Sequence, residues 1–292
     1  MAKITRRDAT VALAAGLLIG SRAGATGRTS GPPLWVVDRG GSKVFLFGQM
    51  PVKTKTPWLT SMIQGAFEGC RELWTENPDV DPAVANASIQ KTLVEGGLTV
   101  AQFLSPHDLK RLHVVLERSG QKPDAMDGSL ASLAYFQISN LADMASGADF
   151  AVFPERVLKA QALAAAKPIH SEWSSFEEAT EFMSGASPLV RRQLLRKALD
   201  DFEGAPLSTQ RLAAWLAGDL SDQEAQDARW RRLYPDLYKH LSAERNAAWA
   251  PRILTMTSAP GACFICVGLG HLVGPQSIQA HLADVGLTIR RL

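Results

Sequence analysis

The stretch Cys263-Phe-Ile-Cys-Val-Gly-Leu-Gly-His271-Leu-Val-Gly-Pro275 constrains the fold more than any other part of the chain. An unbroken apolar run drops into two glycines, a histidine and a Gly-Pro step. A short apolar run bounded by glycine reads as a strand buried on both faces, the kind found inside a parallel sheet. Gly268 and Gly270 permit a tight turn with close backbone approach. Pro275 is placed to open a helix, where its missing N–H costs nothing. That helix is predicted from Gln276 to about Val285, with Gly286 as its cap, and Leu287–Leu292 reads as a further strand. His271 then lies just past the carboxyl end of the first strand, the edge at which open α/β sheets bind ligands.

The start of the chain supplies the matching strands. Leu34-Trp-Val-Val-Asp38 and Lys43-Val-Phe-Leu-Phe47 flank Arg39-Gly-Gly-Ser42 and read as a β-hairpin that ends at Gly48-Gln-Met-Pro51. Pro57 to Cys70 has helical spacing, with Trp58, Met62, Ala66 and Phe67 on one face. Arg71-Glu-Leu-Trp-Thr75 reads as a strand ending at Glu76, before the turn signal Asn77-Pro78. Residues from about 82 to 254 are mainly helical, broken at Gly and Ser-Pro positions. Asp149 to Lys167 is predicted as one helix, and Lys167-Pro-Ile-His-Ser171 as a short extended piece before Glu172. The expected class is α/β: a mixed central sheet formed by N- and C-terminal strands, with a large helical insertion.

The first 25 residues read as a signal peptide. Arg6-Arg7 precede a weakly apolar run, Ala9 to Gly20, and Ala23-Gly-Ala25 offers a small-residue cleavage site. The run is shorter than the ~20 residues needed to span a bilayer. The adjacent arginines resemble a twin-arginine signal, although Asp8-Ala-Thr10 departs from it, and an ordinary secretory signal is the alternative. A linker, 26–33, would lead into a single domain, 34–292, with its helical insertion at about 82–254. The expected location is periplasmic or extracellular. Residues 1–25 hold four of the 31 Lys and Arg residues and one of the 29 Asp and Glu residues. The remainder is nearly neutral, which argues against a nucleic-acid partner. The three cysteines are Cys70, Cys263 and Cys266. Cys263-x-x-Cys266 falls on a strand, so its two thiols should face opposite sides, which suits buried apolar cysteine better than a redox pair.

Candidate chemistry follows the predicted strands: Gly48 and its loop, Glu76, Glu172 and His271. Carboxylates and histidine gathered at one sheet edge suit a divalent metal and an activated water. Each has a plainer alternative: Glu76 solvating a turn, Glu172 capping a helix, Arg245 and Asn246 forming an exposed helix face.

These segments together resemble the TraB/GumN family, which includes the Tiki metalloproteases. The resemblance runs through Leu34-Trp-Val-Val, Gly40-Gly, Val44-Phe-Leu-Phe-Gly48, Glu76, Gly147-Ala-Asp149, Glu172, Trp215-Leu-Ala-Gly-Asp219, Glu244-Arg-Asn246 and Val267-Gly-Leu-Gly-His271-Leu-Val-Gly274. It implies an α/β fold with a helical insertion and two Gly-x-x-His motifs at strand ends, holding a divalent metal (Mn, Co or Zn) for peptide hydrolysis. On that basis His271 and Glu76 are expected ligands. Glu76 or Glu172 would act as the base, Arg245 with Asn246 would stabilise charge, and Gly48, Gly268 and Gly270 would let backbone approach the ligand. Gly268-x-x-His271 matches the second motif. In the first, Gly48-Gln-Met-Pro51, proline stands where histidine belongs, and proline has no side-chain ligand. His170, two residues before Glu172, is the nearest substitute by type. Three functions stay open: an exported metal-dependent peptidase, a non-catalytic relative whose cleft binds a peptide or envelope component, and, ranked last, a purely structural envelope protein.

Overall fold

The computed structural model describes residues 31–78, 97–204 and 208–292, with isolated positions between 83 and 91. The expected signal peptide and most of the expected linker lie outside the described residues. Six strands form one sheet: β1 (Leu34–Arg39), β2 (Ser42–Gln49), β3 (Glu72–Thr75), β4 (Ile169–Ser171), β5 (Gly261–Gly268) and β6 (Ile289–Arg291), in the order β4-β3-β5-β2-β1-β6. β5 is central and parallel to both β2 and β3, and β4 is parallel to β3. β1 pairs antiparallel with β2 and with β6. The sheet is therefore mixed, as its sequence predicts.

Local chemistry explains the elements. Gly40 and Gly41 have φ of 59° and 86°, both left-handed, as a two-residue hairpin turn requires. β5 is buried from Cys263 to Val267. Its side chains alternate, so Phe264 meets Phe67 edge-on on one face, while the neighbouring Trp74 meets Trp249 on the other. The thiols of Cys70, Cys263 and Cys266 are all free and buried. Cys263 Sγ lies 2.9 Å from Glu72 Oε1, so burial with an adjacent carboxylate pushes its pKa up to about 12, an unreactive thiol.

Some boundaries differ from the predicted ones. The first helix is Ser61–Glu68, capped by Thr60, and buries Ile63 and Phe67, whereas Met62 is exposed. Trp58 precedes the helix, so the apolar stripe counted from it is out of phase by one residue. The predicted Asp149–Lys167 helix divides into a 3₁₀ turn, Phe150–Val152, and a helix, Pro154–Ala164, because Pro154 suits a first helical position and not an interior one. Near the carboxyl end, Ser277 caps a helix of Ile278–Asp284, so Pro275 lies before the cap.

The helical stretch has cores of its own. Leu112, Leu116, Ile138, Leu195 and Leu199 pack together from helices Pro106–Arg118, Ala131–Ser146 and Pro188–Glu203. Within it, helix Pro154–Ala164 and strand β4 return to the sheet and contact β3. Helix Glu244–Met256 then leads back into β5.

Candidate active site at the carboxyl ends of the strands

The parallel registers place Gln49 level with Gly268, and Thr75 level with Cys266. The loops after β2, β3 and β5 therefore emerge side by side. Gly48 near the end of β2, Glu76 just after β3 and His271 just after β5 gather there at nearly the same height. A Cβ on Gly48 would come within 2.6 Å of the Leu269 side chain, so this glycine lets the turn after β5 pack on β2. Gly268 and Gly270 line the cleft.

His271 sits in a 3₁₀ turn, Leu269–Leu272, and is 9% exposed. Its Nε2 is 2.8 Å from Glu76 Oε1, and its Nδ1 is 2.5 Å from Asn246 Oδ1. Asn246 is fully buried and donates its amide to the Gln276 carbonyl at 2.6 Å, which turns its oxygen toward the ring. Glu76 Oε1 also accepts the Gly268 amide at 3.0 Å. Burial works against the Glu76 charge, but His271, Arg245 and the Gly268 amide outweigh it and hold its pKa down at about 2. Both nitrogens of His271 thus face acceptors. The ring is thereby held between a carboxylate and an amide oxygen.

Arg245 and Asn246 come from helix Glu244–Met256, which follows a five-residue π turn, Lys239–Ala243. Such turns shift helix register and recur at functional sites. Here Ser242, Asn246, Trp249 and Ile253 are all buried and share the face turned to the sheet. Arg245 binds Glu172 through two bonds, Nε to Oε1 at 2.8 Å and Nη2 to Oε2 at 2.6 Å. Trp249 Nε1 adds a third at 3.3 Å, and Arg252 donates to the Glu172 carbonyl at 2.8 Å. The Glu172 amide continues the ladder to Thr75. Glu172 therefore ties this helix to the sheet edge, and the capping of the next helix falls to Ser175.

His170 is not brought to His271. Its ring stacks on Trp74 at 4.6 Å and its Nε2 lies 3.6 Å from Glu72, at the opposite end of β3 from Glu76. The reason is the parallel register, which sets His170 level with Trp74. Two polar residues that the sequence did not single out do reach the site. Gln49 and Glu155 clasp each other, with Gln49 Nε2 donating to Oε2 and the Glu155 amide donating to Oε1, both at 3.0 Å. Burial raises the Glu155 pKa and the nearby Glu76 adds to it, against Lys159 at 3.2 Å. Only the Gly48–Pro51 loop hinted at Gln49. Glu155 is an ordinary acidic residue in a helix first turn, so no sequence signal marks it.

A cavity of about 340 Å³ opens beside this cluster, lined by Gln49, Met50, Pro51, Trp215, Gly268 and Gly270 among others. A second, of about 540 Å³, continues past Pro51 to Phe150, Phe153 and Arg156. Both share Gln49, Met50, Pro51 and Gly268, so one groove crosses the strand ends.

Fold and groove define an α/β protein with a polar cleft at the carboxyl edge of a mixed sheet, partly roofed by inserted helices. The model of the TraB/PrgY/gumN family matches residues 33–291, and the chain belongs to that family. Neither the curated proteins nor the solved structures contain a match to it.

The metal expected from the family resemblance does not fit the donors present. Pro51 offers none, and both His271 nitrogens are engaged within the protein. Among the described residues, no three His, Cys, Asp or Glu side chains converge as ligands. A catalytic zinc-type centre needs three protein ligands and an open position.

Proposed function

We propose that this chain is an exported member of the family that binds an extended peptide, or a peptide-like envelope component, across the strand-end groove without hydrolysing it. The observation that carries this reading is the clamped His271. Both ring nitrogens are taken up by partners within the protein, and Pro51 removes the other histidine of the motif pair. The groove itself supports binding: it is long, joins two cavities, and mixes aromatic walls with polar groups. A metallopeptidase remains the second reading. In its favour, Glu76 and His271 touch at the edge where ligand positions would be needed.

Calorimetric titration with Mn²⁺, Co²⁺ and Zn²⁺ separates the two readings. The wild type is expected to bind weakly or not at all. Pro51→His should raise affinity, and the gain should vanish on adding His271→Ala. A lost ligand should cost more than the ~10–100-fold typical of groups that only orient ligands. Tight one-to-one binding by the wild type, accompanied by peptide cleavage, would establish the second reading instead.

Export rests on Arg6-Arg7, the short apolar run and Ala23-Gly-Ala25. Mass spectrometry of the cellular protein should place the mature N-terminus near Thr26. An intact Met1 or Ala2 would rule out cleavage.

A further inference from the structure

From the cavity geometry we propose that Asp143 is a specificity residue of the groove, receiving a cationic group of the ligand such as a lysine or arginine side chain. The inference rests on the peptide-binding reading and adds the chemistry of one subsite. Asp143 lies near the end of helix Ala131–Ser146 and lines the 340 Å³ cavity together with Gln49 and Pro51.

The other charges around it are mostly matched. Lys197 pairs with Asp201 at 2.6 Å and Arg211 with Asp222 at 3.2 Å, while Lys53 donates to the uncharged hydroxyl of Thr209 at 3.0 Å. Among the described residues the Asp143 carboxylate has no hydrogen bond and no ion pair within 4 Å; only its backbone carbonyl is used, by Ser146, Gly147 and Ala148. Lys197, which acts on it from a distance, is committed to Asp201.

Burial, reinforced by Asp201, pushes the Asp143 carboxyl up to about 6. The ionised form is therefore disfavoured by its own surroundings. A carboxylate kept in a cavity at such a cost fits a role in recognition, because an arriving cation supplies the missing partner. An anionic ligand group at this point would meet the unpaired Asp143 carboxylate and be repelled.

Two probes test the inference separately from the reading beneath it. The first is n-butylguanidinium chloride, titrated by NMR against the full mature chain and its Asp143→Asn variant. Saturable binding by the wild type, weakened about tenfold or more in Asp143→Asn, is expected. No saturable binding, or equal binding by both proteins, would overturn the subsite. The second is an array of hexapeptides varied at each position. The wild type should favour Lys or Arg at one position, and Asp143→Asn should lose that preference while still retaining peptide at the others. An unchanged preference would overturn the role of Asp143. If the guanidinium binds and no peptide does, the subsite stands and the peptide-binding reading falls. Circular dichroism of Asp143→Asn guards against misfolding. The isosteric change removes a disfavoured charge, so the fold should be retained.

Discussion

Glu76→Ala should lower the unfolding free energy at pH 7 by about 3–5 kcal/mol, the usual result of stranding one member of a buried ion pair. His271 would keep only Asn246, and the Gly268 amide would lose its acceptor. The side chains of the pair are 11% and 17% exposed, so little solvent is present to replace the lost partner. His271→Ala should cost a similar amount. The double variant should cost clearly less than the sum, because each single change already breaks the same contact. The pH dependence has a definite sign. The folded pKa of Glu76 is depressed to about 2 from 4.5, so its contribution is complete above pH 4.5 and is lost as pH falls through about 2. Urea unfolding at pH 7 and pH 2.5 should show the gap between wild type and Glu76→Ala shrinking at the lower pH. A gap under about 1 kcal/mol at pH 7 would mean the pair does not form in solution, since that is the range of exposed pairs.

Glu172→Ala should be comparably damaging, about 3–5 kcal/mol, for a different structural reason. It removes the acceptor of Arg245 and Trp249 at once and leaves a guanidinium confined beside Trp173. The pair side chains are 5% and 16% exposed. Because Glu172 joins helix Glu244–Met256 to the end of β3, its loss should also loosen Asn246 and with it the seat of His271. Hydrogen exchange should show that helix losing protection before the hairpin β1–β2 does. Glu172→Gln, which keeps one acceptor oxygen, should recover part of the loss. If Glu172→Ala left stability intact but abolished peptide retention, Glu172 would be a ligand-contacting residue and not a tie.

Much of the fold was legible in local pattern. The hairpin declared itself through Gly40-Gly41 between two apolar runs, and β5 through an apolar run too short for a helix and closed by glycine. Chain order then required Gly48, Glu76 and His271 to share one edge once those strands were parallel. Where structure and local pattern part, the cause is a shift of phase or of a boundary. One residue of phase exposed Met62 in place of Ile63, and Pro154 split a helix that periodicity alone ran through.

The candidate site divides along the same line. Sequence by itself determined that His271 follows a buried strand and that Glu76 follows another, and the family resemblance added that Pro51 stands where a histidine is expected. These are properties of short segments, in which a strand's period and a proline's missing donor act within a few residues. The tertiary structure decided what those residues do. It engaged both nitrogens of His271, placed Glu172 on Arg245 instead of a ligand, set the His170 ring on Trp74 beside Glu72, and brought Glu155 and Asp143 to the groove. Such outcomes depend on which distant helix packs over the sheet and in what register. Hydrogen-bond partners, burial and the pKa changes they cause are set by separations of a few ångströms between residues that lie tens to hundreds of positions apart in the chain.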